Sequence, residues 1–334
     1  MPGDVTGRPV SPPARVAVCV STHNRSQLLP RLVEALIAQT IGPDALEVVI
    51  VDNGSSDDTW ATLQELAADA PFALTVLRNQ PGLGPAAGRN RAWRAARAPV
   101  IAFTDDDCVP TPQWLAAGLA VMERPGRRVA AGVVRAHPDQ LESYRPFYYV
   151  PLVDSTVAFW FATANAFFAR ADLETVGGFD EKFRRVAAED TELAWRIIET
   201  GSEPVFVETA VVYHDVRPST VWQTIRAQSA WADIPAVFRR RPAARRALLY
   251  GGIFWKPTHP HLLLLVAASA AVARSRRSPL VLLAVPWLHD WLCVTPRSPD
   301  RVLRTAALPG QFLVDVAEIA AMLRGSLRHR TPVL

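Results

Sequence analysis

Cysteine is scarce: Cys19, Cys108 and Cys293 are the only ones in 334 residues, far apart and with no CxxC or other zinc spacing. That pattern offers no cysteine metal site and fits a reducing, cytosolic compartment. The chain also lacks an uninterrupted apolar run of the ~20 residues that a membrane-spanning helix needs. Its longest apolar stretches are 253–273, broken by Lys256, His259 and two prolines, and 279–294, broken by His289-Asp290. No charged-then-apolar signal pattern opens the chain, and residues 1–14, with Pro2, Pro9, Pro12 and Pro13, read as a disordered leader. There is no repeat of fixed period, which excludes a solenoid. A dinucleotide fingerprint is missing too: Gly82, Gly84 and Gly88 have the wrong spacing and follow the third strand-like run, not the first, which sets a dehydrogenase aside.

What is present is enough apolar content, 49%, to bury a full core. The net charge of +4 hides an asymmetry: residues 239–334 hold 15 Lys/Arg against 4 Asp/Glu, whereas 1–238 hold 21 against 28. A basic tail interleaved with apolar runs suits an anionic membrane surface better than nucleic acid.

From residue 15 the pattern alternates. Arg15–Ser21, Leu46–Val51, Phe72–Leu77 and Pro99–Thr104 are short β-branched or apolar runs. Helical periodicity follows the first three, at Leu28–Gln39, Asp57–Ala68 and Gly84–Ala98. Such alternation predicts an α/β fold with a Rossmann-like, mostly parallel sheet flanked by helices. After about residue 135 it fades; Phe159–Phe168 reads as a buried strand, Ala188–Thr200 as a helix, Glu203–Val207 and Ala210–His214 as strands, and Thr220–Ala232 as a helix.

The polar clusters all fall where strands end. Thr22-His23-Asn24-Arg25 closes the first strand, Asp52-Asn53-Gly54-Ser55-Ser56-Asp57 the second, and Asp105-Asp106-Asp107 the fourth. In an open parallel sheet those carboxyl ends share one rim, where ligands bind. Three adjacent acids are hard oxygen donors suited to Mg²⁺ or Mn²⁺. Each cluster alone also reads as a turn or a helix cap, and Cys108 behind the triplet is a poor ligand for a hard ion.

With these residues in view, the chain resembles the family 2 glycosyltransferases, rhamnosyltransferase-like and of GT-A fold. The resemblance runs through VCVSTHNR (18–25), VIVDNGSSDDT (49–59), GPAAGRN (84–90), IAFTDDDCVP (101–110) and AEDTELAWR (188–196), over roughly residues 15–235. It implies a nucleotide-diphospho-sugar donor, a divalent metal (Mn²⁺ or Mg²⁺) and transfer to an acceptor hydroxyl with inversion. By similarity Asp107 is the direct metal ligand, Asp105 holds ribose or the metal through water, and Asp106 supports them. Thr22 and Asp52, with Asn24, Arg25 and Asn53 beside them, match nucleoside-contacting positions. Arg89 and Asn90 match a segment near the nucleotide, although Arg89 also reads as one of several solvated helix arginines. Asn165 lies in the strand beside the donor sugar, and His214 resembles a histidine that approaches the metal or the diphosphate. Asp190 matches the general base, with Glu189 orienting the acceptor or its neighbour. Ala188 stands where many relatives carry glycine, so a helical or extended backbone is expected there instead of positive φ. Gln223-Thr224-Ile225-Arg226-Ala227 lacks the tryptophan of a QxxRW motif, which argues against a processive synthase. A nucleotidyltransferase of related fold would want a glycine-rich loop after the first strand, and a non-catalytic sugar-nucleotide-binding module would not need both acidic clusters.

The domain expectation is a leader (1–14), a catalytic domain (15–235, with a nucleotide-binding half 15–110 and an acceptor half 111–235) and a basic, apolar helical appendage (236–334). In the appendage, Trp255, Trp287 and Trp291 with flanking arginines fit a helical pair lying on or re-entering a membrane face. Phe312 to Leu323 recurs at helical spacing before Arg324, Arg328 and Arg330, as an amphipathic helix on anionic lipid would. The chain is expected at the inner face of the cell membrane, as a peripheral protein acting on a lipid-linked or cell-envelope glycan.

Overall fold

The computed structural model describes residues 5–6, 14–140, 160–183, 188–215, 219–275, 279–294 and 301–334. The chain divides into two compact units, one of residues 1–138 with 151–215 and the other of 139–150 with 216–334. The boundary falls at Asp215, ahead of the expected 235, because the helices that follow pack on the last helix of the second unit.

The first unit contains β1 (Val5–Thr6), β2 (Val16–Thr22), α1 (Leu29–Ile37), β3 (Leu46–Asp52), α2 (Thr59–Asp69), β4 (Ala73–Arg78), α3 (Pro85–Ala95) and β5 (Val100–Phe103). It continues with β6 (Cys108–Pro110), α4 (Trp114–Met122), β7 (Arg128–Ala136), β8 (Ala166–Ala169), α5 (Arg170–Val176), α6 (Glu189–Ile198) and β9 (Glu203–His214). The nine strands form one sheet in the order β1-β4-β3-β2-β5-β8-β7-β9-β6. Strands β4-β3-β2-β5 are parallel, as the alternation predicts; β8 then runs antiparallel between β5 and β7, and β9 pairs parallel with β7. Within the expected leader, Val5–Thr6 pairs antiparallel with Val76 and Thr75; residues 1–4 and 7–13 lie outside the described residues.

Both sheet faces are covered, which explains the near-continuous apolar strands. Val16, Val18 and Val20 of β2 pack with Leu32 and Leu36 of α1 and Leu63 of α2, while Ala17 and Cys19 point the other way, toward Ala92 and Trp93 of α3 and Leu193 of α6. Cys19 is therefore a core residue, as its apolar surroundings imply. Two elements carry no periodic signal in the sequence. Helix α4 (WLAAGLAVM) is apolar all round because it lies against the sheet, and the alanine- and glycine-rich β7 is buried on both faces.

Two expectations need correction. Residues 163–165 form a 3-10 turn, so the strand expected from 159 starts only at Ala166. The two runs 203–207 and 210–214 are one strand, β9, whose register against β7 slips between Gly132 and Val133. That bulge explains Asn165. Its amide donates to the carbonyls of Val133 and Ala210, both at 2.9 Å, and its oxygen accepts from Trp114 Nε1 at 2.8 Å. A bulge frees backbone groups from the ladder, and here a buried amide satisfies them. Gly132 leaves room for it, since a Cβ there would sit 2.3 Å from the Ala210 carbonyl.

The second unit is helical: α7 (Val221–Gln228), α8 (Ile234–Arg240), α9 (Pro242–Leu248), α10 (Thr258–Arg274), α11 (Val285–His289) and α12 (Arg301–His329). Helix α7 opens with a capping box, Thr220 accepting from the Gln223 N–H while the Gln223 side chain accepts from the Thr220 N–H. Helix α12 packs against α7, α8, α10 and the 3-10 turn Ser229–Asp233.

Replacing Asn165 with alanine leaves an indole N–H and two carbonyls without partners inside the sheet. The expected loss is about 2–4 kcal/mol of unfolding free energy, read by urea denaturation.

Candidate active site

Three parallel strands end at one level. Thr22, Asp52 and Arg78 are register partners on β2, β3 and β4, and the acidic triplet leaves β5 on the same rim. Asp52 is fully buried. Its Oδ1 accepts from the Ser55 N–H at 2.8 Å, whereas Oδ2 lies 3.0 Å from Arg78 Nε in an ion pair and accepts no hydrogen bond. Arg78 itself stacks on Trp60, 5.4 Å from the ring centroid. The residues expected to contact a nucleoside thus include a buried carboxylate whose charge is balanced by Arg78. The sequence singled out Asp52 but not Arg78, which stands at the end of an ordinary apolar strand.

The three acids of the triplet have three different settings. Asp106 is buried, accepts from the Thr22 hydroxyl at 2.7 Å and lies 3.9 Å from Arg25 Nε. Asp105 accepts from Arg89 Nη2 at 2.8 Å, and the other arm of the same guanidinium, Nη1, donates to Glu189 at 2.9 Å. Arg89 is 5% exposed, so it is a buried bridge and not a solvated helix arginine. Its charge offsets those of the two carboxylates, which hold it still further toward the protonated form.

Asp107 faces a histidine. His214 pairs with Cys108 across β6 and β9, which brings its Nε2 to 3.3 Å from Asp107 Oδ1. Its Nδ1 lies 3.0 Å from the Asp215 carbonyl, and a carbonyl can only accept, so Nδ1 carries the hydrogen. In neutral imidazole the Nε2 lone pair then points at a carboxylate oxygen. Two facing acceptors call for a cation or a proton between them. Ligand atoms of Asp105, Asp107, Cys108 and His214 all lie within 4.8 Å of one another. Carboxylates and an imidazole oriented by a backbone carbonyl fit Mn²⁺ or Mg²⁺. Cys108 does not join that set naturally, since burial and the Asp105 charge push its thiol up and keep it neutral. Asp215, which the sequence reading missed, orients the His214 ring through its backbone and pairs with Arg31 of α1 at 2.6 Å.

Helix α6 brings Glu189 and Asp190. Glu189 is 1% exposed and held by Arg89; Asp190 is partly buried, accepts from the Thr191 N–H at 2.7 Å and has the Thr163 N–H at 3.4 Å. Desolvation, then the adjacent Glu189 charge, pushes the Asp190 carboxyl up to about 7. Ala188, before them, adopts φ 65°, ψ 14°, contrary to the helical or extended backbone expected. The left-handed turn that glycine would make without strain is therefore kept here by alanine, at a cost of about 1 kcal/mol.

Four asparagines among the expected site residues make hydrogen bonds within the scaffold. Asn24 (φ 54°) accepts from the Ser56 N–H at 2.8 Å and its own N–H donates to Ser55 Oγ at 2.8 Å, joining the loops after β2 and β3. Asn53 donates to the Gly84 carbonyl and accepts from the Asn79 amide and the Leu83 N–H. Asn90 donates to the Phe179 carbonyl and Glu181, and accepts from the Phe179 N–H and Trp93. Asn165 fills the β9 bulge. By contrast Thr22, Arg25, Arg89, Asp105, Asp106, Asp107, Glu189, Asp190 and His214 form linked groups on the rim.

Arg89→Met removes the bridge and takes the guanidinium charge away from the buried Glu189. A loss of about 3–5 kcal/mol is expected, and Glu189→Gln in the same chain should restore a large part of it. Denaturation of the two single variants and the double variant measures this.

The description "Glycosyl transferase family group 2" matches residues 100–294, more than half of the chain, and "Glycosyl transferase family 2" matches residues 17–179. A validoxylamine A glucosyltransferase of Streptomyces hygroscopicus subsp. limoneus is 30% identical over 234 residues, 60% of this chain and 50% of that protein. A pre-mycofactocin glycosyltransferase of Mycobacterium tuberculosis is 28% identical over 266 residues, 73% of this chain and 53% of that protein. The chain thus spans about half the length of these curated relatives. Among solved structures, the mannosyltransferase PcManGT from Pyrobaculum calidifontis in complex with GDP-Man and Mn²⁺ superposes with TM-score 0.66 at 22% identity, over 94% of this chain and 88% of that one. Rim geometry, sheet order and family match agree: the chain belongs to the family 2 glycosyltransferases.

Proposed function

We propose that the chain transfers a sugar from a nucleotide-diphospho-sugar to an acceptor hydroxyl, with inversion and with the help of a divalent metal. The observation that carries this reading is the bridge Asp105–Arg89–Glu189, which ties the candidate metal cluster to the helix bearing Asp190. Asp52, a buried carboxylate ion-paired with Arg78, is suited to a ribose hydroxyl or a base N–H; the Thr22 hydroxyl holds Asp106. Asp105, Asp107 and His214 would hold Mn²⁺ or Mg²⁺, and a bound ion would supply positive charge to the departing diphosphate. Support for a donor of this class comes also from the structural neighbour, which was solved with GDP-Man and Mn²⁺.

Single displacement needs a base for the acceptor hydroxyl. Asp190 is suited to it because a carboxyl raised to about 7 is both basic enough and largely ionised just above neutrality. Glu189, fixed by Arg89, holds Asp190 in place and keeps its proton affinity high. The acceptor is proposed to be a lipid-linked or cell-envelope glycan reached at the inner membrane face, on the strength of the basic, apolar second unit. A sugar-nucleotide sensor without turnover is the competing reading, and a base poised in this way is what that reading does not need.

A panel of UDP-, GDP- and dTDP-sugars assayed with and without Mn²⁺ or Mg²⁺ tests the proposal; metal-dependent release of the nucleoside diphosphate is expected, and no nucleotide binding at any metal concentration would sink it. Asp190→Asn should lose transfer at least 10³-fold while still binding donor. The rate in the parent should rise with pH through an apparent pKa near 7. Because the folded pKa lies above that of an exposed aspartate, ionised Asp190 costs stability, and the cost grows from about pH 4 to pH 7. The metal-free Asp190→Asn variant should therefore be more stable than the parent at pH 8, by ~2–4 kcal/mol, and no more stable at pH 4. Thermal melts at the two pH values decide this.

A further inference from the structure

The second unit is amphipathic the wrong way round for water. Helix α12 buries one stripe at three- and four-residue spacing: Gln311, Asp315, Glu318, Gly325 and Ser326 lie on it with Val314, Ala321 and Met322. Its exposed side carries Leu313, Val316, Leu323 and Leu327, the last 74% exposed, with Arg324 and Arg328 toward its end. The acids face in, beside the buried Val314, Ala321 and Met322, and much of the outward side is alkyl. The inward acids are fully engaged: Asp315 accepts from the indoles of Trp287 and Trp291 at 2.9 and 3.0 Å and from Gln311 at 2.9 Å. Glu318 accepts from Lys256 at 2.8 Å and lies 3.2 Å from His259 Nε2.

The inversion extends beyond α12. Of the seventeen large apolar side chains exposed among the described residues, fifteen belong to the second unit. On α10 only His259, Leu262 and Ala268 are buried, while Leu263 and Val266 are exposed. In the turn after it Leu280, Val281 and Leu282 are about half exposed or more, Leu282 at 68%. Water-soluble domains do not normally leave so much aliphatic surface on packed neighbours. Hydrocarbon does not penalise it, and it requires the reverse, that polar groups be satisfied inside. Residues 305–329 are long and apolar enough to cross a bilayer, and Arg239, Arg240, Arg245 and Arg246 lie on α8 and α9 of the same unit, where anionic headgroups would meet them.

We infer that the second unit is inserted in the membrane, its apolar exterior against acyl chains and its Asp315 and Glu318 clusters serving as an internal polar core. This rests on the membrane reading proposed above and goes further: the expected peripheral attachment through charge becomes integral insertion through aliphatic surface, with the arginines as a fringe.

The full-length protein is mixed with vesicles of phosphatidylcholine and phosphatidylglycerol, floated, and washed with high salt and then alkaline carbonate. Insertion predicts that most of the floated protein survives both washes and is released by detergent alone. Leu282→Asp combined with Leu323→Asp should cut the wash-resistant fraction at least about tenfold, with circular dichroism and nucleotide binding unchanged. A bimane probe at Leu323→Cys, in a Cys293→Ser background, should be quenched by nitroxide-labelled acyl chains; a probe at Leu83→Cys, on the first unit, should not. Release by salt would overturn insertion and leave surface attachment standing. Failure to float at all would overturn both, and a discrete, non-floating dimer would assign the apolar face to a second copy of the chain.

Discussion

One buried guanidinium holds the site together. Arg89 lies on α3, Asp105 behind β5 and Glu189 at the start of α6, and these elements are distant in sequence. With contacts of 2.8 and 2.9 Å the guanidinium neutralises two carboxylates that would otherwise repel each other in a site largely closed to water. The consequence reaches Asp190, one residue on, whose proton affinity is set by desolvation and the Glu189 charge and moderated by the same arginine. Arginine is the residue for this task, since its planar fork engages two acids at once and it does not lose its charge when buried.

Around that bridge the work is divided by strand. The carboxyl ends of β2, β3 and β4 carry Thr22, Asp52 and Arg78, where the nucleoside is proposed to bind. The segment after β5 presents the triplet, and β9 returns through β6 to set His214 beside Asp107. The proposed transfer uses this order: nucleoside at one end, diphosphate charge in the middle, acceptor at Asp190. The bulge in β9, plugged by Asn165, lies within the strand whose last residue is His214, so a packing amide in the sheet contributes to the position of a candidate metal ligand.

Much of this was legible in the chain. Alternating runs between 15 and 104 announce the parallel strands and helices because each strand is buried on both faces and each helix on one, two periods that are hard to confuse. The acids at 105–107 could be placed on the rim because strand ends are fixed by turn chemistry, whereas those at 189–190 were legible only as the start of a helix and through the family resemblance. What was not legible depends on contacts between distant residues. Asn24, Asn53, Asn90 and Asn165 look like ligand amides in sequence, and only the fold shows the hydrogen bonds they make to loops and to a bulge. Arg78 gives no signal because its partner, Asp52, is a cross-strand neighbour. Ala188 was misjudged because the scarcity of alanine at positive φ is a tendency that local packing can override. In the second unit the helices were expected, but periodicity gives only the spacing of a stripe and not which side faces inward, so the inversion of α12 could not be seen.

As proposed, Asp105, Asp107 and His214 form a divalent-metal site coupled to nucleotide binding. Calorimetric titration of a nucleoside diphosphate into the full-length protein, with and without Mn²⁺, and into Asp107→Asn tests it most directly. Mn²⁺ is expected to strengthen binding by at least tenfold in the parent and hardly at all in Asp107→Asn, about 1.4 kcal/mol of coupling. Equal affinity with and without Mn²⁺ in the parent, or a Mn²⁺ effect untouched by Asp107→Asn, would contradict it.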